Sequence, residues 1–474
     1  MSGSEIQKNR LALVGFGNGS LNAALPKDRP VREDIQVNAA YFRMDGLECC
    51  WIVLDFMDFD RKAVDHIKGV VAESCQIPEE RIHVLTTHNH GAGEVDDLDV
   101  GLIGMSSAKA VRDGKAAAAP AFLRHASVAI AEQLNYVRRF YVEEFAGCGT
   151  LYFGPCAADG FDCSEYLKHQ IRLLRERGEI SYCGKSGEVS RLVSIDAKNK
   201  TRLPAGDRTV SILRFEREDG SAIGNICRFA AHAVCCNCPE FYSSDYPFYT
   251  RKYLSENLGG LTVFINGPCG EIAPAIPDKT SFGERRIGLA IGAVAARALE
   301  GSRPLAITKL DERVREVVLP VRDDLPDSEQ AAREMEALQK KRVSLLNAPL
   351  PEVKKLAERI NFLRTVPFLR KKWLNGESKG AESRRKVTAR LGLLSLNDTG
   401  ILAFPGETFS STAERVRIQS GLDNLTTVTE HDRTLTYVPP EKEHVLGGYE
   451  TTCCMTSPEA ESILADEALA MLVK

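Results

Sequence analysis

The sequence lacks the marks of an exported, membrane-spanning or nucleic-acid-binding chain. No apolar run approaches the ~20 residues that cross a bilayer; the longest apolar-leaning stretch is 287–296. Residues 1–10 are polar and charged, which predicts no secretory signal, a cytoplasmic location and no stable membrane insertion. Excess charge of either sign is missing too: 61 Lys and Arg against 65 Asp and Glu leave −4, so whole-chain electrostatics make no case for nucleic acid. Fourteen Cys in 474 residues are too few for a disulfide scaffold, and without an export signal the adjacent pairs Cys49-Cys50, Cys235-Cys236 and Cys453-Cys454 read as reduced thiols. What is present is ordinary: 43% hydrophobic and 27% charged residues exclude a disordered or fibrous protein. Length allows about three units or one large α/β unit. There is no internal repeat or low-complexity tract.

The periodicity predicts an α/β protein with mixed, largely parallel sheets flanked by helices. Residues 50–56 (CWIVLDF) and 82–86 read as buried strands around a helix over 62–73, a right-handed βαβ unit. Residues 11–16 read as a strand broken by Gly15-Phe16-Gly17-Asn18-Gly19. Such a step cradles phosphate only where a helix opens after it, and residues 24–28 read as loop. Residues 115–136 read as mostly helical, with Pro120 in the first turn. Strands over 209–215 and 224–230 form a hairpin on Glu218-Asp219-Gly220. A helix over 248–257, a strand over 261–265 and a helix over 285–299 follow. From 323 to 386 the pattern turns helical and basic, which predicts a helical arm inserted into a unit made of 1–322 and 387–474. Strands resume at 391–396 and 401–404, and helices cover 412–418 and 459–472.

Only nine His occur, so clustering is informative. Thr86-Thr87-His88-Asn89-His90-Gly91-Ala92-Gly93 places two at the carboxyl end of a strand, where ligands bind in such sheets; hydrogen-bonded imidazoles are the plain alternative. His232 ends another strand beside Cys235, Cys236 and Cys238, which leaves a structural Cys-His zinc site open, although the spacing matches no paired ribbon. Glu407, at a strand-to-helix turn, reads on its own as a carboxylate favouring a helix N-terminus.

In order along the chain these pieces resemble the neutral, non-lysosomal ceramidases. Residues 85–93 resemble the family's T-H-T-H-S-G-P-G signature. Ala231-His232, Ser244-Asp245-Tyr246-Pro247 and Gly267-Pro268-Cys269-Gly270-Glu271-Ile272-Ala273-Pro274 resemble its next block. Pro405-Gly406-Glu407 resembles its P-G-E step. Tyr437-Val438-Pro439-Pro440 with Gly447-Gly448-Tyr449-Glu450 resembles its ending. The resemblance implies a catalytic zinc (Zn2+) held by His88, His232 and Glu407, with His90 lining the pocket. Tyr437 and Tyr449 would serve an oxyanion, and Asp245 would orient a ligand His through its other nitrogen. Cys235 is an alternative fourth ligand.

The family's zinc-contacting Tyr falls at Thr434 here, and its N-R step has no Arg in residues 151–159. Both departures point away from ceramide. The expectation is therefore a zinc-dependent hydrolase acting on a small polar molecule through an amide, ester or glycosidic bond. Ceramide amidohydrolysis and a non-catalytic binding role are the alternatives. The acidic stretch Glu94, Asp96, Asp97 and Asp99 reads as a solvated loop, or as recognition of a polar or cationic substrate. Phe362, Val366, Phe368, Leu369 and Trp373 give the basic arm an apolar side for packing or for a homo-oligomer contact. A membrane-surface patch is a rival use, and no nucleic-acid motif accompanies the charge.

Overall fold

Runs of alternating and continuous apolar residues build three main sheets in the computed structural model, which describes residues 11–93, 95–130, 134–137, 207–236, 240–275, 283–342, 356, 359–360, 362–371, 385–432, 435–446 and 449–473. The first sheet runs, edge to edge, Ile82–Thr86 (β4), Leu47–Leu54 (β3), Gln36–Met44 (β2), Leu13–Ser20 (β1) and Ala119–Pro120 (β5). The second runs Leu261–Asn266 (β10), Ala222–Phe229 (β9), Thr209–Glu216 (β8), Phe122–Ala129 (β6) and Leu305–Ala306 (β12). The third runs Leu310–Pro320 (β13), Lys386–Leu396 (β14), Thr399–Ala403 (β15) and Leu425–Val428 (β17). Two short pairs complete the set: Asn135–Val137 (β7) with Ile272–Pro274 (β11), and Glu407–Thr408 (β16) with Tyr437–Val438 (β18).

The first two sheets share one apolar core, where Phe16, Phe42 and Trp51 meet Phe215, Ile226 and Val263. Helices Arg61–Cys75 and Val100–Ala117 pack Val64, Ile67 and Val111 with Ile52 and Leu54 in a second core. Asp245–Leu258 and Gly283–Ala298 pack Leu254, Ile287 and Ile291 with Ile212 and Phe264 in a third. The helix Arg61–Cys75 begins where Asp60 accepts the N–H of Ala63. It ends where Gln76 turns left-handed and its N–H bonds to the Ala72 carbonyl.

The sheets are mixed rather than largely parallel. Among the strands of the described residues, parallel pairing is confined to β3/β4, β9/β10, β15/β17 and β16/β18. Short turns impose three of the antiparallel pairs, β2/β3, β8/β9 and β14/β15. Asp45 and Gly46 join β2 to β3 at φ 47° and 84°, the positive angles that a tight hairpin needs. Residues 115–136 are not a helix either. The helix stops at Ala117, and Phe122–Ala129 pairs with Thr209–Glu216 along its whole length; a neighbouring strand outweighs the helical preference of alanine.

The glycines of residues 15–19 lie within β1 rather than breaking it. A Cβ on Gly15 would sit 2.0 Å from the carbonyl oxygen of Gly114, and one on Gly17 2.0 Å from that of Ala110. The pattern marks a helix lying directly on a strand, not a phosphate loop. Gly17→Ala is expected to destabilise by roughly 1–3 kcal/mol as overpacking, read as a lower urea midpoint. An unchanged midpoint would mean that the helix yields freely.

The arm's apolar side is used within the chain. Phe362, Leu363, Val366 and Leu369 join Val317, Leu319 and Val387 in the core of the third sheet. Phe368 of the same side is 42% exposed, and Trp373 lies outside the described residues. The described cysteines are free thiols. No helix among the described residues is long and apolar enough to cross a membrane.

Candidate metal centre

Each candidate ligand stands a few residues beyond the carboxyl end of a strand in a parallel pair. His88 follows β4, His232 follows β9, Glu407 follows β15 and Glu430 follows β17. Parallel strands send their ends to one edge, so three sheets deliver side chains to one place. The loop blocks lock them there. Asn89 bridges to Ala233, joining the loop after β4 to the loop after β9. Glu407 pairs with Tyr437 in the parallel step β16/β18. Gly406 turns at φ 59°, where a Cβ would meet the Thr436 carbonyl at 2.6 Å. In the 267–274 turn, Gly270 lies on the Glu407 backbone, a Cβ there meeting its carbonyl at 2.5 Å. Glu271 accepts from the backbone N–H and hydroxyl of Ser410.

The donor atoms converge. Ligand atoms of His88, His90 and His232 lie within 4.8 Å of one another. His88 Nε2 and His90 Nε2 are 3.3 Å apart. Glu407 Oε2 lies 2.9 Å from His232 Nε2 and 3.4 Å from His88 Nε2. Tyr437 Oη stands 3.3 Å from His232 Nε2. His88 and His232 are buried, and His90 is half-buried.

Tautomers follow from the other ring nitrogens. His232 Nδ1 faces the Ile272 carbonyl at 2.9 Å, and His88 Nδ1 faces the Met57 carbonyl at 3.2 Å. A carbonyl only accepts, so each Nδ1 carries a proton and each Nε2 is the ring nitrogen left to face an ion. Glu430 adds an oxygen 3.4 Å from His88 Nδ1. The Nε2 atoms and the Glu407 carboxylate thus face a point that calls for positive charge, supplied by a bound ion or by protons on the imidazoles. The electrostatics favour positive charge there. Burial opposes charge on His88, but Glu407, Glu430 and Asp58 outweigh it and lift its pKa to about 9. Burial likewise opposes the Glu407 charge, yet His88 and His232 hold that carboxyl well below its ordinary range. Imidazole and carboxylate are zinc-type donors, and this set fits such an ion.

Other expected roles fall elsewhere. Asp245 does not orient a ligand histidine: its carboxylate accepts the N–H groups of Cys236 and Tyr246, each at 2.6 Å, at the start of its helix. The ligand imidazoles rest on backbone carbonyls instead. Cys235 lies outside the His88, His90, His232 group, and burial pushes its thiol well up, which disfavours the thiolate a zinc ligand must be. Tyr449 is 42% exposed, and its ring meets that of Tyr437 edge-on at 5.8 Å. Thr434 and residues 151–159 lie outside the described residues. A tyrosine hydroxyl nevertheless reaches His232, from Tyr437. Of the acidic stretch, Asp99 caps the helix Val100–Ala117 and Asp96 pairs with Lys371 of the arm; Glu94 is outside the described residues.

No protein-family model and no curated protein matches the chain. Solved structures do. A neutral ceramidase from Pseudomonas aeruginosa superposes with a TM-score of 0.64 at 14% identity, covering 98% of this chain and 74% of that one. A ceramidase complexed with C2 gives 0.63 at 13%, covering 98% and 75%. The chain has a neutral-ceramidase-like fold.

Within that fold, sequence reading missed the support behind the ligands. Met57, Glu430 and the Asp55–Asn89 contacts below were not foreseen. One signal was available: Thr429-Glu430-His431-Asp432 directly follows the buried strand β17, and all four residues are buried, an unusual place for two acids and a histidine.

Proposed function

We propose that the chain is a zinc-dependent hydrolase, with the ion held by His88, His232 and Glu407. The observation that carries the reading is the convergence of the His88, His90 and His232 ring nitrogens, with Glu407 against His88 and His232 and Tyr437 against His232, at the carboxyl ends of strands. A bound zinc supplies a Lewis acid and lowers the pKa of water to ~7. The chain's own residues do the rest. Glu407 balances positive charge. His90, half-buried beside His88, takes the proton from the attacking water and returns it to the leaving nitrogen or oxygen. Tyr437 Oη donates to the oxygen on which charge develops. Hydrolysis then places hydroxyl on the electrophilic carbon and hydrogen on the leaving group. Residues 323–386 are, in this reading, an insert in one catalytic unit.

For the substrate, the missing Arg in 151–159 supports a small polar molecule cleaved at an amide, ester or glycosidic bond. A second reading, N-acylsphingosine hydrolysis, is favoured by the fold likeness and by Tyr437 at the donor set. Turnover of short- and long-chain ceramides beside soluble amides, esters and glycosides separates them. His90→Ala is expected to lower kcat by about 10²–10⁴-fold on the true substrate. Long-chain ceramide cleavage lost in that variant would select the second reading. Zinc uptake without turnover of anything would favour a binding protein over both.

A further inference from the structure

Behind the metal centre lies a buried ion pair that touches no ligand. Arg251 donates Nη1 and Nη2 to Asp55 Oδ1 and Oδ2 at 2.8 and 2.6 Å. The Ser244 hydroxyl and the Gln36 N–H complete the carboxylate at 3.0 and 3.1 Å. A buried ion pair is a poor route to stability compared with apolar residues of the same volume. A buried hydrogen-bonded set such as this, with both Asp55 oxygens bonded, instead fixes one geometry.

What Asp55 fixes is the turn carrying His88 and His90. The Thr87 hydroxyl reaches its Oδ1 at 3.4 Å. On the other side of His88, Asn89 Nδ2 donates to the Asp55 carbonyl at 3.1 Å and to the Ser243 carbonyl at 2.7 Å. Asn89 Oδ1 accepts the Gly91 N–H at 2.9 Å. Asn89 is fully buried and makes these bonds between the two histidines. His88 itself sits at φ 54°, a left-handed conformation that a residue with a Cβ keeps only where its surroundings over-determine it. This kink, not an extended strand, brings the two Nε2 atoms within 3.3 Å.

We propose that Asn89, anchored on Asp55, is the positioning residue of the metal centre: it ligates nothing, but holds the left-handed turn that aims His88 and His90 at one point. The inference rests on the metal reading above. The test measures zinc affinity by competition with a chromophoric chelator and the visible spectrum of the cobalt(II)-substituted protein, whose bands report ligand number and geometry. Circular dichroism of the metal-free protein checks the fold.

Asn89→Ala is expected to weaken zinc about 10–100-fold and to alter the cobalt spectrum. Val416→Ala, in the core of the third sheet, should lower stability and leave both readouts unchanged, separating positioning from loss of stability. Thr87→Val keeps the side-chain shape and removes one bracket. It is expected to weaken zinc by up to about tenfold, the low end of the same range, and it carries the test if Asn89→Ala does not fold. Wild-type affinity and spectrum in the folded variants would overturn the proposal alone. A wild-type chain that takes up no zinc would overturn the metal reading and this proposal with it.

Discussion

Purified without added metal, the chain is expected to carry zinc close to one per chain, and the His88→Ala, His232→Ala double variant none. The two imidazoles supply the buried Nε2 atoms nearest Glu407, at 3.4 and 2.9 Å. Without them the buried Glu407 carboxylate loses both imidazoles it faces, and His90 alone of the three histidines remains, too few donors for a tight site. The Lewis acid is worth several kcal/mol at the transition state, so its loss is expected to cost about a thousandfold or more in kcat/KM, at 1.36 kcal/mol per tenfold. Elemental analysis and a chelation–readdition cycle check this. Activity should vanish with chelator and return with zinc in the wild type, and never return in the double variant. Full zinc retention in the double variant would move the ion to other residues.

His88, His232 and Glu407 are picked out by the resemblance to the neutral ceramidases together with their places just after apolar strands; on its own Glu407 reads as a carboxylate at a helix N-terminus. The β3–helix–β4 crossover is legible as two continuous apolar runs around a stretch of helical spacing, and both strands are buried along most of their length. The failures share a cause. Phe122–Ala129 carries an alanine-rich, weakly alternating pattern, and only its pairing with Thr209–Glu216 makes it a strand. Asp245 reads as a partner for histidine, but it opens a helix, where free N–H groups claim a carboxylate first. The supports of the site lie beyond local pattern altogether. Asn89 meets Ser243 across 154 residues and His83 meets His431 across 348; no window on the sequence joins such pairs.

The largest stability effect is expected at that second histidine pair. His83 Nδ1 and His431 Nε2 stand 2.8 Å apart, His83 Nε2 faces Glu312 Oε1 at 2.8 Å, and the Trp51 ring stacks on His83 at 4.9 Å. Beside them Asp432 Oδ2 takes Lys68 Nζ and Arg390 Nη1, each at 2.6 Å, while Oδ1 accepts the Val84 N–H at 2.9 Å. Asp432, Lys68 and Arg390 are all buried. Burial holds His431 neutral, its pKa down to about 3, so at neutral pH the cations that matter to Asp432 are Lys68 and Arg390. Burial opposes charge on Asp432, yet its basic neighbours outweigh that and depress its pKa far below the ordinary 3.8. Removing the carboxylate strands two buried cations, and breaking such a set costs about 3–5 kcal/mol. Asp432→Ala is therefore expected to lower the urea midpoint strongly, and Asp432→Asn nearly as much, because shape without charge leaves Lys68 and Arg390 unbalanced. The pH dependence has a definite sign. A carboxyl depressed in the folded chain contributes stability that is fully present above its ordinary 3.8 and is lost as pH falls below it toward the folded value. Urea midpoints compared between pH 6 and the lowest pH at which the chain folds should converge for wild type and Asp432→Asn on the acid side. Parallel profiles with a constant gap would show that the charge of Asp432 does not carry the effect, since asparagine keeps an oxygen for the Val84 N–H.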